Sequence, residues 1–134
     1  MSRYRKDLGD FGEAAAAAYL KKKQYQILEK NYRTAGGELD LIARTQTHLI
    51  FVEVKTRSNL HYGRPIEAID RKKMQHMRRA AAAYLSEHPT QLEIQFDAVE
   101  VFAVESAGMM QLKEVVHTPN LGMEGASADE GENI

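Results

Sequence analysis

Residues 36–58 read GGELDLIARTQTHLIFVEVKTRS. Two apolar runs, LDLIA and LIFVEV, flank a polar RTQT, the pattern of a β-hairpin with strands over 38–43 and 48–55 and a turn through 44–47. Strand side chains alternate between faces, so Ile50, Val52 and Val54 line one face while Leu49, Phe51, Glu53 and Lys55 line the other. With Ala43 opposite His48, Asp40 faces Phe51, Glu38 faces Glu53, and Asp40 lies on the diagonal from Glu53. A continuous run such as LIFV predicts a strand covered on both sides, where charge is costly unless it is paired. Taken singly, each charged residue reads as half of a surface ion pair, which contributes little. Together, Glu38, Asp40 and Glu53 outnumber Lys55, and the excess negative charge calls for a cation. Carboxylate oxygens suit a hard divalent ion, Mg²⁺ or Mn²⁺, shared with a substrate phosphate. Asp40 and Glu53 are thus the candidate ligands. Lys55, a donor only, is the candidate to orient an attacking water or stabilise charge on a scissile phosphate; the sequence does not choose between these roles.

Outward from the hairpin, the remaining elements fall into an α+β order. Residues 6–23 form a predicted helix: Leu8, Gly12, Ala15, Ala16, Tyr19 and Leu20 recur at helical spacing, and Lys21, Lys22 and Lys23 suit a C-terminal dipole. YQILEKNYR, residues 25–33, reads as the first strand. A second helix is expected over 71–88, with Asp70 as N-cap, Pro89 as stop, and an apolar stripe of Met74, Met77, Ala81, Tyr84 and Leu85. Two late strands, FDAVEVFAV and QLKEVVH, turn at Gly108. No internal repeat is present.

At 134 residues the chain makes one domain large enough for an ordinary core. It has no cysteine, which excludes disulfides and thiolate zinc sites. No segment resembles a membrane span or a signal peptide, so a cytoplasmic protein is expected. The net charge is −1, but Glu124, Asp129, Glu130 and Glu132 lie in a tail without Lys or Arg, leaving 18 basic against 15 acidic residues in the body. Residues 1–119 are read as the domain and 120–134 as an acidic, disordered tail. Arg71, Lys72, Gln75, Arg78 and Arg79 fall on one side of the second helix, opposite the methionines; such a face is solvated or contacts phosphates. His48, His61, His76, His88 and His117 show no metal-binding spacing and read as surface or incidental.

GELDLIA followed by LIFVEVKTRS resembles the motif pair of the PD-(D/E)XK nuclease-like superfamily, with Asp40 at the first acidic position and Glu53-Val54-Lys55 as the (D/E)XK element. More narrowly, the chain is similar to the YraN-like family of uncharacterised bacterial proteins, itself resembling archaeal Holliday-junction resolvases. The resemblance runs from GDFGEAAAAAYL through NYRTAGGELDLIA, FVEVKTRS and YGRPIEAI to FDAVEV. It implies a restriction-endonuclease-like fold, a mixed central sheet flanked by helices, and places Glu13 as an additional acid beside the metal. Leu39 stands where a literal Pro-Asp pair would have its proline. The resemblance also marks Lys73 as a basic position near substrate.

The expected function is a metal-dependent endonuclease acting on DNA, with branched or otherwise structured DNA among the candidate substrates. Arg57, Arg64, Lys72, Lys73 and Arg79 are the candidate phosphate contacts, and Tyr62 either stacks on a base or packs. The alternatives are a non-catalytic nucleic-acid-binding module on the same fold and a scaffold whose hairpin charges are merely paired. Expected partners are nucleic acid, DNA ahead of RNA, and a second copy of the chain, with no membrane.

Overall fold

The structure, a computed structural model, describes residues 3–58, 71–121 and 132–133. Helix α1 (Arg3–Lys22) is followed by strands β1 (Gln26–Thr34), β2 (Gly37–Arg44) and β3 (His48–Arg57), helix α2 (Arg71–Glu87), strands β4 (Glu93–Ser106) and β5 (Met109–Thr118), and a two-residue β6 (Glu132–Asn133). The strands form one sheet in sequential order, antiparallel except for the parallel β3–β4 pair, which the crossover through α2 makes possible. This is the expected α+β, restriction-endonuclease-like arrangement, with one helix packed on each face. The expected N-cap Asp70, the loop residues His61, Tyr62 and Arg64, and the tail other than 120–121 and 132–133 lie outside the described residues.

Two apolar layers sandwich the sheet. Ala16, Ala17, Tyr19 and Leu20 of α1 bury against Leu41, Ile50, Val52, Val54, Val99, Val101 and Val115. Met74, Met77, Ala80, Ala81 and Tyr84 of α2 bury against Leu39, Ile42, Leu49, Phe51 and Ala98. Each fully buried aliphatic or aromatic side chain contributes about 1.5–3 kcal/mol. The LIFV run is therefore covered on both sides, and its even and odd residues go to opposite layers as the period of two requires. Gly37 lets the β1–β2 turn rest on α2: a Cβ there would come 2.6 Å from the His76 carbonyl oxygen.

Two expectations are corrected. The hairpin register pairs Ala43 with Ile50 and Arg44 with Leu49, not Ala43 with His48. The cause lies in the turn, where Thr45 N donates to the His48 carbonyl at 2.9 Å and Thr45 Oγ1 accepts from the amides of Thr47 and His48. That hydroxyl-stabilised turn moves the pairing by two residues, which preserves the faces but changes which residues are level. Second, His117 is not incidental surface. It is 2% exposed, and its Nε2 lies 2.7 Å from Asp97 Oδ2 inside the α1 layer, with Tyr19 and Tyr25 edge-on to its ring.

Candidate functional site

With the observed register extended one step beyond Leu41–Val52, Asp40 comes level with Glu53. The ladder between β2 and β3 stops at Leu41–Val52, and Asp40 Oδ2 instead accepts the Val54 amide at 2.7 Å. A side chain thus replaces a backbone acceptor where the two strands part. Leu39 joins the α2 layer and Leu41 the α1 layer although they are two residues apart, so β2 turns over at Asp40. Glu53 points towards α2, as its parity with Leu49 and Phe51 demands, and is 3% exposed.

The Glu53 carboxyl meets three neighbours. Lys73 Nζ of α2 lies 3.0 Å from Oε2, Lys55 Nζ lies 3.8 Å from the same oxygen, and Asp40 is within hydrogen-bonding reach. Burial first, and then the Asp40 charge, push the Glu53 carboxyl up to about 7 against the opposing pull of Lys73. The shared hydrogen bond with Asp40 favours the protonated form as well. Burial by itself would lower Lys73, but Glu53, with Asp40 and Glu38 behind it, outweighs burial and holds the ammonium above its ordinary value. Even so, one lysine does not offset what burial and a second carboxyl do to Glu53.

Glu13 reaches this group from α1 because Gly12 brings the helix onto β3: a Cβ at Gly12 would stand 1.7 Å from Thr56 Oγ1. Burial and then the Asp40 charge raise the Glu13 carboxyl, while a hydrogen bond from Asn31 pulls it the other way. Glu38 does not join Glu53. It is on the exposed strand end, with Arg33 Nε 3.3 Å away. Asp40 is therefore the acid whose charge both Glu53 and Glu13 feel.

The donor chemistry of Asp40, Glu53 and Glu13 fits a hard divalent cation, since all three offer carboxylate oxygens and two are raised by a neighbour's negative charge. Among the described residues, however, no three Asp, Glu or His side chains converge as a ready-made cage. A cation here would be held first between Asp40 and Glu53, with Glu13 drawn in from the cleft.

Of the expected phosphate contacts, Lys72 and Arg79 are exposed on α2 and Lys73 is beside Glu53. Arg79 and Lys73 line an open cleft of about 540 Å³ between α2 and the β1–β2 turn, together with Arg33 and His76. Sequence reading missed those last two, because β1 and α2 are brought together only by folding. Arg57 is turned to Glu100, with Nε 2.8 Å from a carboxylate that is 1% exposed. Glu100 was also missed, although Val99-Glu100-Val101 repeats the buried V-E-V pattern of Val52-Glu53-Val54. Arg64 lies outside the described residues.

Comparison with known proteins agrees with the motif reading. The chain is similar to a UPF0102 protein of Acetivibrio thermocellus, 42% identical over 80% of this chain and 84% of that one. It is similar to another from Geobacter metallireducens, 40% identical over 90% and 95%. A third, from Clostridioides difficile, is 44% identical over 75% and 89%. Residues 12–101, which include Glu13, Asp40, Glu53, Lys55 and Glu100, match the family described as uncharacterised protein family UPF0102. The chain belongs to that family.

Proposed function

We propose that this protein is a metal-dependent phosphodiesterase of the PD-(D/E)XK type that hydrolyses nucleic acid, with DNA of branched or otherwise structured form as its substrate. One observation carries the reading: where β2 and β3 part, Asp40, held by the Val54 amide, comes level with the buried Glu53, and a lysine ammonium lies 3.8 Å from the Glu53 carboxyl. Two carboxyls that close disfavour double ionisation, so the pair is set to exchange its proton for a harder charge. A bound Mg²⁺ or Mn²⁺ would supply charge neutralisation at the scissile phosphate. Asp40 and Glu53 would hold the ion, with Glu13 as auxiliary ligand.

The chain's own residues supply the rest. Asp40 is fixed by the Val54 amide, so its remaining oxygen is aimed without further ordering cost. Lys55, with its side chain 38% exposed, reaches solvent, where it can donate to an attacking water or to a phosphoryl oxygen. Arg33, His76 and Arg79 line the neighbouring cleft, and Lys72 is exposed on the same helix; all four can contact backbone phosphates without reading sequence.

The test is cleavage of linear, flapped and four-way DNA with Mg²⁺ and with Mn²⁺, using Asp40→Asn as control. Cleavage by the native chain and none by the variant is the expected result; cutting by both proteins would refute the assignment. A second reading, a module that binds nucleic acid without cutting it, is favoured by Lys73 standing at 3.0 Å on Glu53 in place of a cation. Salt-sensitive binding with no cleavage on any of these substrates would select it.

A further inference from the structure

Four non-glycine residues among those described have positive φ: Gln24, Asn31, Ala107 and Asn120. Gln24 follows α1, Ala107 precedes Gly108 in the β4–β5 turn, and Asn120 follows β5, so a change of direction accounts for each. Asn31, at φ 53°, lies within strand β1. Left-handed backbone costs free energy, even for asparagine, and inside a strand no turn requires it. Asn31 is exposed, so core packing does not require it either.

Its level in the sheet shows what it serves. Lys30 pairs with Leu41 and Tyr32 with Leu39, so the residue across from Asn31 is Asp40, and that pair is absent from the ladder. Both strands turn over at this level. Leu41 belongs to the α1 layer, whereas Leu39 and its partner Tyr32 belong to the α2 layer. The register runs unbroken past this level, the shift in β1 lying between Ile27 and Glu29, so the left-handed residue bends the strand and re-aims its side chain without adding a residue. Here Asn31 and Glu13 of α1 line one open cleft of about 320 Å³ with Arg33 and Glu38, and the Asn31 side chain works against the rise of the Glu13 carboxyl.

We infer that Asn31 is a positioning residue: its strained place in β1, across from Asp40, exists to aim the Glu13 carboxylate at the Asp40–Glu53 pair. The consequence for metal affinity rests on the function proposed above; the hold on Glu13 does not. Asn31→Gly separates the parts, because glycine keeps the left-handed backbone without strain and removes only the amide.

Two measurements on the full chain decide the matter. In Mn²⁺ titration calorimetry, Asn31→Gly is expected to weaken binding about tenfold or more, as loss of a ligand-orienting group does. The double variant with Glu13→Ala should bind no more weakly than Glu13→Ala alone. In metal-free protein, the unfolding equilibrium constants of the two single variants and the double variant should depart from multiplicativity by about fivefold, the signature of a direct contact. Native Mn²⁺ affinity in Asn31→Gly, or losses that multiply in both experiments, would overturn the inference. Failure of the native protein to bind Mn²⁺ would overturn the proposed function instead, and the metal-free cycle would still judge Asn31.

Discussion

Glu53→Gln should make the protein more stable in alkaline solution and leave its stability unchanged in acid. An ordinary glutamate carboxyl titrates near 4.5, whereas Glu53 is pushed up to about 7 by burial and by Asp40. Between those values the unfolded chain ionises its glutamate while the folded protein holds a proton, so stability falls as pH rises and the loss is complete above about 7. At about 1.4 kcal/mol per pH unit, the full penalty is roughly 3 kcal/mol. Glutamine mimics the protonated acid, since its amide can donate to Asp40. It leaves Lys73 without its carboxylate, but that ammonium is 28% exposed and can reach water. The expected net gain is therefore about 1–3 kcal/mol at pH 8, or roughly 4–11 °C in Tm, and near zero at pH 4.5. Urea unfolding of both proteins from pH 4.5 to 8.5 in chelator measures it. A gain equal at both ends, or a variant less stable at pH 8, would refute the electrostatic account of Glu53. Adding Mn²⁺ at about a hundred times its dissociation constant should then return about 2.7 kcal/mol to the native protein alone.

Lys55→Ala should lower single-turnover cleavage by at least about a hundredfold while sparing Mn²⁺ and nucleic-acid binding, because its interactions are made as charge develops on the phosphate. Cutting at the native rate would remove Lys55 from the mechanism. Replacing Arg33, Lys72 and Arg79 with alanine should flatten the dependence of binding on salt by up to about 3 in log–log slope; an unchanged slope would show that this cleft does not carry the backbone. Lys73 is best left out of that set, since its loss would also unpair Glu53. Gly12→Ala should destabilise the fold by about 1–3 kcal/mol, since the added methyl meets the Thr56 side chain. Thermal unfolding at native Tm would show that α1 can back away from β3, and would remove Gly12 as the cause of Glu13's position.

What the amino-acid sequence determined by itself was the order of elements and the face on which each hairpin residue lies. Period-two alternation and an even turn are local, so Ile50, Val52 and Val54 were assigned to one layer and Phe51, Glu53 and Lys55 to the other before any fold was known. That parity survived a two-residue slip, because a shift by an even number preserves faces. Which residues stand level was another matter. The Thr45 hydroxyl set the turn and brought Asp40 beside Glu53 instead of Phe51. The neighbours of the site came from farther away: Lys73 from α2, Glu13 across the gap left by Gly12, Asn31 from β1, and Glu100, which holds Arg57, on the strand that α2 carries back beside β3. None of these contacts lies within one element, so no local periodicity encodes them. His117 was misjudged for the same reason, since its burial depends on Asp97 twenty residues earlier and on two tyrosines near the end of α1. Side-chain direction is a property of the chain's local geometry, whereas the charge and burial that set a carboxyl's affinity for a proton arise only when distant elements pack.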